Sequence, residues 1–206
     1  SIVDPIFTFI LIFCMIFCFL YKSIKIIRFG TLLSFSYLII GIFQYQNVKS
    51  YVNAFANKRG HKIERILLNP TIGNNILWRT VYEFNNNYYI DAVYMPLFGN
   101  TSYKKGSKVK VIDKEDVFPD INRNSIQRND IRRFSYFSMD FIYLHPDYDN
   151  VIADLRYGTL PYDNKSLWGI KINENNSEQH VNFLNLRNFK SNQYLEFWSM
   201  LKGNMK

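Results

Sequence analysis

The chain has 206 residues, 48% hydrophobic and 20% charged, with a formal net charge of +8. Its two cysteines, Cys14 and Cys18, stand one helical turn apart and exclude a disulfide framework or a zinc-binding spacing. The basic residues are scattered and most aromatics fall on apolar faces, so no nucleic-acid partner is expected.

The average conceals a sharp division. Residues 1–48 carry only Asp4, Lys22, Lys25 and Arg28 as charges, with none between Pro5 and Tyr21 or between Phe29 and Val48. Apolar runs of about 17–25 residues are what a helix needs to cross a hydrocarbon core of roughly 30 Å, where it also satisfies its own backbone hydrogen bonds. Residues 1–48 are therefore expected to form a two-helix transmembrane hairpin, with Lys22 to Arg28 as its basic connector. No basic segment precedes the first run and no small-residue cleavage site follows it, which argues against a secretory signal. The chain begins at Ser1 without a methionine, as a piece of a longer protein would.

Val48, Val52, Phe55 and Ala56 recur at helical spacing. Residues 49–66 are thus expected to continue the second helix as an amphipathic, membrane-proximal segment ending near Gly60, where glycine can take a left-handed cap. Five basic residues between Lys49 and Arg65 outnumber the three in the connector. The positive-inside rule then puts the soluble part on the cytoplasmic side by a small margin.

From Leu67 the periodicity becomes alternating, and residues 67–206 are expected to fold as a soluble, antiparallel β-rich domain, making the chain α+β. Ile76 to Met95 reads as a hairpin around Asn85-Asn86-Asn87, since asparagine tolerates left-handed backbone angles. With all three asparagines in the loop, Phe84 pairs with Tyr88, Tyr82 with Ile90, Thr80 with Ala92 and Trp78 with Tyr94. Further strands are expected at Val109–Ile112, Arg133–Ser138, Phe141–Leu144, Val151–Tyr157, Leu167–Ile172 and Val181–Leu186. A closing helix starts with Ser191 as its N-cap and carries Tyr194, Leu195, Trp198 and Leu201 along one side.

Catalytic signatures are sparse. The histidines His61, His145 and His180 are far apart in sequence, with no His-Glu-x-x-His, phosphate loop, dinucleotide fingerprint or serine elbow. Catalytic residues therefore remain unassigned and no metal ligand is expected. Two charged constellations stand out. Asp154 and Arg156 fall on one face of a strand, and Arg79 lies diagonal to Asp91 in the hairpin. Either can hold an anionic substrate through a guanidinium fork, or serve as a structural ion pair.

Several blocks also occur together in order: Ser1-Ile2-Val3-Asp4-Pro5-Ile6-Phe7-Thr8, Arg59-Gly60-His61, Asn69-Pro70-Thr71-Ile72-Gly73-Asn74 and Leu77-Trp78-Arg79. They are followed by Tyr89-Ile90-Asp91-Ala92, Arg133-Phe134-Ser135-Tyr136-Phe137-Ser138, Asp154-Leu155-Arg156-Tyr157 and Leu167-Trp168-Gly169-Ile170. The series resembles the C-terminal part of the YdjM-like membrane-bound metal-dependent hydrolases. The resemblance implies a multi-pass protein of the bacterial inner membrane that uses a divalent metal, zinc foremost, to activate water. Its partners would be the lipid bilayer and further membrane helices of the same protein. The family's metal-binding histidines and aspartates would lie upstream of residue 1, and His145-Pro146-Asp147 does not match them in place or spacing. The competing expectation is a non-catalytic, membrane-anchored binding or assembly module.

Overall fold

A computed structural model describes residues 4–205; the Ser1-Ile2-Val3 start of the first family-like block lies outside them. The chain is α+β, with four helices and two antiparallel four-stranded sheets among the described residues.

Helix α1 (Pro5–Tyr21) begins where Asp4 caps it, accepting hydrogen bonds from the backbone amides of Ile6 and Phe7 at 2.9 and 3.1 Å. Pro5 occupies the first turn, where its missing N–H costs nothing. Helix α2 (Ile24–Lys58) runs 35 residues without a break. It absorbs the expected membrane-proximal segment and ends beside Gly60, which has φ +74°. The two helices pack antiparallel: the Tyr37 hydroxyl donates to Asp4 at 2.9 Å, and Gly30 touches Cys14 closer to the connector. A Cβ on Gly30 would stand 2.5 Å from the Cys14 side chain, so only glycine permits this approach. Helix α2 is long and apolar enough to cross a membrane. The large side chains of its first half point outward, with Phe43 66% exposed. Helix α1 is apolar but shorter.

The second half of α2 changes character. Val48, Val52, Phe55 and Ala56 are buried against one face of the first sheet, where they meet Leu68, Trp78, Tyr82, Val93 and Met95. Burial of each such valine contributes roughly 1.5–3 kcal/mol. That sheet has the order β1 (Arg65–Pro70), β2 (Leu77–Phe84), β3 (Asn87–Tyr94), β4 (Ser102–Lys110).

The β2–β3 hairpin exists, but its register differs by one residue from the sequence expectation. Tyr82 pairs with Tyr89, Thr80 with Asp91 and Trp78 with Val93. The turn uses only Asn85 and Asn86, at φ 49° and 57°, which is the two-residue type I′ geometry that matches strand twist. The second face of the sheet is equally apolar. Val81, Tyr88 and Ile90 pack against Tyr143 and Ala153 of the second sheet and the adjoining Phe141 and Leu155. With both faces buried, alternation could not choose between the registers; the turn does.

The second sheet has the order β5 (Ile142–Leu144), β6 (Val151–Asp154), β7 (Trp168–Lys171), β8 (Asn182–Asn185). Its far face carries Ile142, Ile152 and Ile170, covered by Phe118, Ile121, Ile131 and Phe134. The last two belong to α3 (Ile126–Phe137), so the expected strand Arg133–Ser138 is instead the end of a helix. Ser125 caps that helix, and Gln127, Arg128, Ile131, Phe134 and Ser135 form its buried face at helical spacing. The layers thus run α2, first sheet, second sheet, α3.

The closing helix α4 (Ser191–Leu201) has Lys190 rather than Ser191 at its N-cap, with the Gln193 side chain accepting from the Lys190 amide at 2.9 Å. It turns Phe197, Met200 and Leu201 toward Leu77, Ala92 and Tyr94 on the second face of the first sheet. Tyr194, Leu195 and Trp198 of the expected stripe are exposed.

Candidate functional site

A cleft of about 560 Å³ that combines polar groups with apolar walls lies beside the end of β1. Asn69 to Ile72 form one wall, the loop from Arg156 to Pro161 a second, and Arg187, Phe189 and α4 residues Gln193, Tyr194 and Phe197 a third. The charged residues on its lining are Arg79, Arg156 and Arg187, and no carboxylate belongs to it.

The expected Asp154–Arg156 pair is present, with Arg156 on the lining and Asp154 behind it. Asp154 ends β6 with its side chain buried and accepts from the Arg156 amide at 2.9 Å and from Arg156 Nη2 at 2.7 Å. The Trp168 indole N–H donates to the same carboxylate at 3.1 Å. Arg156 is thereby held side-on, its guanidinium 4.9 Å from the Phe137 ring centre and 5.5 Å from that of Tyr157. Tyr157 packs on Trp168, and the Arg187 guanidinium lies 5.7 Å from the Trp168 ring on the cleft side. Among the described residues no carboxylate forms an ion pair with Arg187.

The other expected constellation comes apart. The observed register pairs Thr80 with Asp91, so Arg79 and Asp91 lie on opposite faces of the sheet and never meet. Asp91 turns toward α2 and binds Arg59 at 2.6 Å. Arg79 turns toward the second sheet, is fully buried, and donates to the carbonyls of Leu155, Leu160, Pro161 and Asp163. Burial pushes its guanidinium below the ordinary arginine range, and burial likewise pushes the Asp163 carboxyl up, 4.0 Å away. That distance and the carbonyl partners describe a brace for the 155–163 loop rather than a strong ion pair. Arg79 borders the cleft with its donors already engaged, whereas Arg156 and Arg187 face it with capacity to spare. Arg187 lay in an Asn-Leu-Arg-Asn-Phe stretch whose sequence shows no motif; only the folded placement beside Trp168 distinguishes it.

The histidines are dispersed. His61 contacts the Tyr82 hydroxyl at 2.9 Å, His145 sits in its own turn, and His180 contacts Asp130 at 2.8 Å. Among the described residues no three His, Cys, Asp or Glu side chains converge into a metal-binding group. They do not fit the divalent metal that the family resemblance implies. What the cleft can do is bind: two cationic forks, the hydroxyls and amides of Thr71, Thr159, Asn69 and Gln193, and apolar walls from Pro70, Leu167, Phe189 and Phe197 suit an anion with an apolar portion.

No protein-family model matches the chain, and no curated protein or solved structure matches it significantly.

Proposed function

We propose that the chain is the membrane-anchored, substrate-facing part of a membrane-bound hydrolase of the metal-dependent kind it resembles. In this reading α1 and α2 cross the bilayer as a hairpin, residues upstream of them carry the metal, and the two-sheet domain holds an anionic, partly apolar substrate in the cleft. The observation that supports it is the lining itself, three arginines and no carboxylate, on a domain fused to a helix long enough to span a membrane.

The test is titration of the purified chain, in detergent micelles, with a short-chain phosphatidic acid as an anionic amphiphile. Arg156→Gln and Arg187→Gln are each expected to weaken binding at least tenfold, with Arg187→Gln leaving the melting temperature unchanged. Equal affinity in wild type and both variants, or no binding at all, overturns the reading.

A second reading is the non-catalytic assembly module. It draws on the exposed aromatic end of α3, where Tyr136 is 85% and Phe137 57% exposed, followed by exposed Met139. The β2–β3 hairpin offers no free edge for such an assembly, since β1 and β4 pair with both of its sides. Hydrolytic turnover by a longer form that includes upstream helices favours the first reading; stable complexes lost on Tyr136→Ser favour the second.

A further inference from the structure

We infer that one rim of the soluble domain, made by residues 71–76, residues 95–101 and the outer face of α4, lies in the headgroup layer of the membrane that α2 crosses. The inference rests on α2 as a membrane-spanning helix and adds a second, peripheral attachment to it.

The placement follows from where the sheet meets the helix. Tyr45 packs at a tilt against Trp78, Phe55 meets Tyr82 edge-on, and Arg59 reaches Asp91, so the sheet's Asn85-Asn86 turn points away from the apolar half of α2. The opposite end, where β1 and β3 stop and β2 begins, is drawn down onto the helix. Gln44 Nε2 donates to the Met95 carbonyl at 2.8 Å and to the Asn75 carbonyl at 3.3 Å, and the Asn75 side chain reaches Gly41. The Tyr37–Asp4 hydrogen bond ties α1 to α2 about two turns before Gln44. From Ile24, where α2 begins, to Gln44 a helix rises about 30 Å, the thickness of the hydrocarbon core, so Gln44 stands at its edge.

The side chains at this level have the wrong character for water. Ile72 is 72% exposed, Leu97 56% and Phe98 92%, all on the two loops tied to Gln44. Helix α4 docks against Leu77 and Tyr94, the strand ends at this same edge, and leaves Tyr194, Leu195 and Trp198 uncovered. Tyrosine and tryptophan with aliphatic neighbours are the residues that settle at a membrane interface. Arg187, Lys190 and Lys202 flank α4 and would meet anionic headgroups. A helix lying in the interface with an apolar outer face and basic neighbours is a recurrent mode of peripheral attachment. The occupant of this apolar rim is therefore lipid, because the rim is continuous with the level at which α2 leaves the bilayer.

The experiment places single cysteines in a Cys14→Ala/Cys18→Ala background, labels them with an environment-sensitive fluorophore, and reconstitutes the chain in vesicles of phosphatidylcholine and phosphatidylglycerol. Lipids brominated near the headgroup end of their chains serve as contact quenchers. Phe98→Cys and Leu195→Cys are expected to lose at least half their emission, as does Ile39→Cys on the membrane helix. Tyr136→Cys, near the domain's far end, stays unquenched. Quenching at Ile39 without quenching at Phe98 or Leu195 overturns the rim attachment while sparing the membrane span. An unquenched Ile39 overturns both. A blue-shifted but unquenched probe at Phe98 assigns the rim to a second copy of the chain and overturns the lipid contact.

Discussion

Arg59 and Asp91 join the end of the long helix α2 to the middle of the first sheet, with Nη1 to Oδ2 at 2.6 Å and Nη2 to Oδ1 at 3.3 Å. Burial by itself would lower the Arg59 guanidinium, but its hydrogen bonds to Asp91 and Tyr82 more than reverse this and hold it above the ordinary arginine range. The second sheet-side support is the Gly106 amide, which donates to Asp91 Oδ1 at 3.0 Å across the β-bulge between β3 and β4. Removing Arg59 leaves a buried carboxylate with one neutral donor. Arg59→Met is expected to cost about 3–5 kcal/mol and Asp91→Asn about 1–3 kcal/mol, with the double variant costing less than their sum. Urea unfolding of the chain in micelles, followed by tryptophan fluorescence, measures all three.

Arg79 separates a brace from a substrate contact. Its donors satisfy four backbone carbonyls of the 155–163 loop, so Arg79→Met is expected to lose about 3 kcal/mol. Arg79→Lys should lose nearly as much, because a single ammonium cannot reproduce the fork. Gly158 stands against the same guanidinium, where an added Cβ would come within 2.6 Å of Nη1, so Gly158→Ala should reproduce the phenotype. Limited proteolysis should show earlier cleavage between residues 155 and 165 in all three variants. Unchanged stability with lost anion binding would make Arg79 a ligand contact instead.

These cases show where the sequence could be read and where it could not. The charge-free runs from Pro5 to Tyr21 and from Phe29 to Val48 marked both apolar helices, because large apolar side chains that point outward all along them leave no polar face to interrupt the run. Asp154 and Arg156 were legible as a pair because two residues apart in an extended segment keeps them together whatever surrounds it. Arg79 and Asp91 were not, because their relation depends on a register that two buried faces leave undetermined. Arg133 to Ser138 misled for a related reason. Its Phe-Ser-Tyr-Phe alternation mimics a strand, and only the Ser125 cap and the spacing of Ile131 to Phe134 and Ser135 reveal the helix. Arg187 was illegible altogether, since its role depends on Trp168 and α4 folding beside it.

His145 makes stability depend on pH. It is 7% exposed, packed between Tyr143 and Tyr148, and its Nδ1 accepts from the Asp147 amide at 3.1 Å. Burial holds its pKa below the ordinary histidine value of 6.5. The neutral ring is therefore favoured more in the folded than in the unfolded chain. Its contribution is fully present above about pH 6.5 and is lost as pH falls through the lower folded value. His145→Asn keeps an acceptor for the Asp147 amide, as an Asx turn, but cannot titrate. The difference in melting temperature between wild type and variant is expected to shrink or reverse between pH 7 and pH 5. A constant difference across that range would remove His145 from the acid sensitivity.

The Asn85-Asn86 turn sets the hairpin register, and its chemistry can be strengthened. Both residues hold positive φ, and glycine is the residue that pays least for that conformation at the second turn position. The Asn86 carbonyl accepts from the Val111 amide at 3.1 Å, a backbone bond that glycine preserves. Asn86→Gly is therefore expected to stabilise the chain by roughly 0.5 kcal/mol. Asn86→Val forces a β-branched side chain into the left-handed region and should cost about 1–2 kcal/mol. Chemical denaturation resolves the two shifts in opposite directions. If valine were tolerated as well as glycine, the turn would not be type I′, and the register would have to be set by packing of Trp78 on Val93 instead.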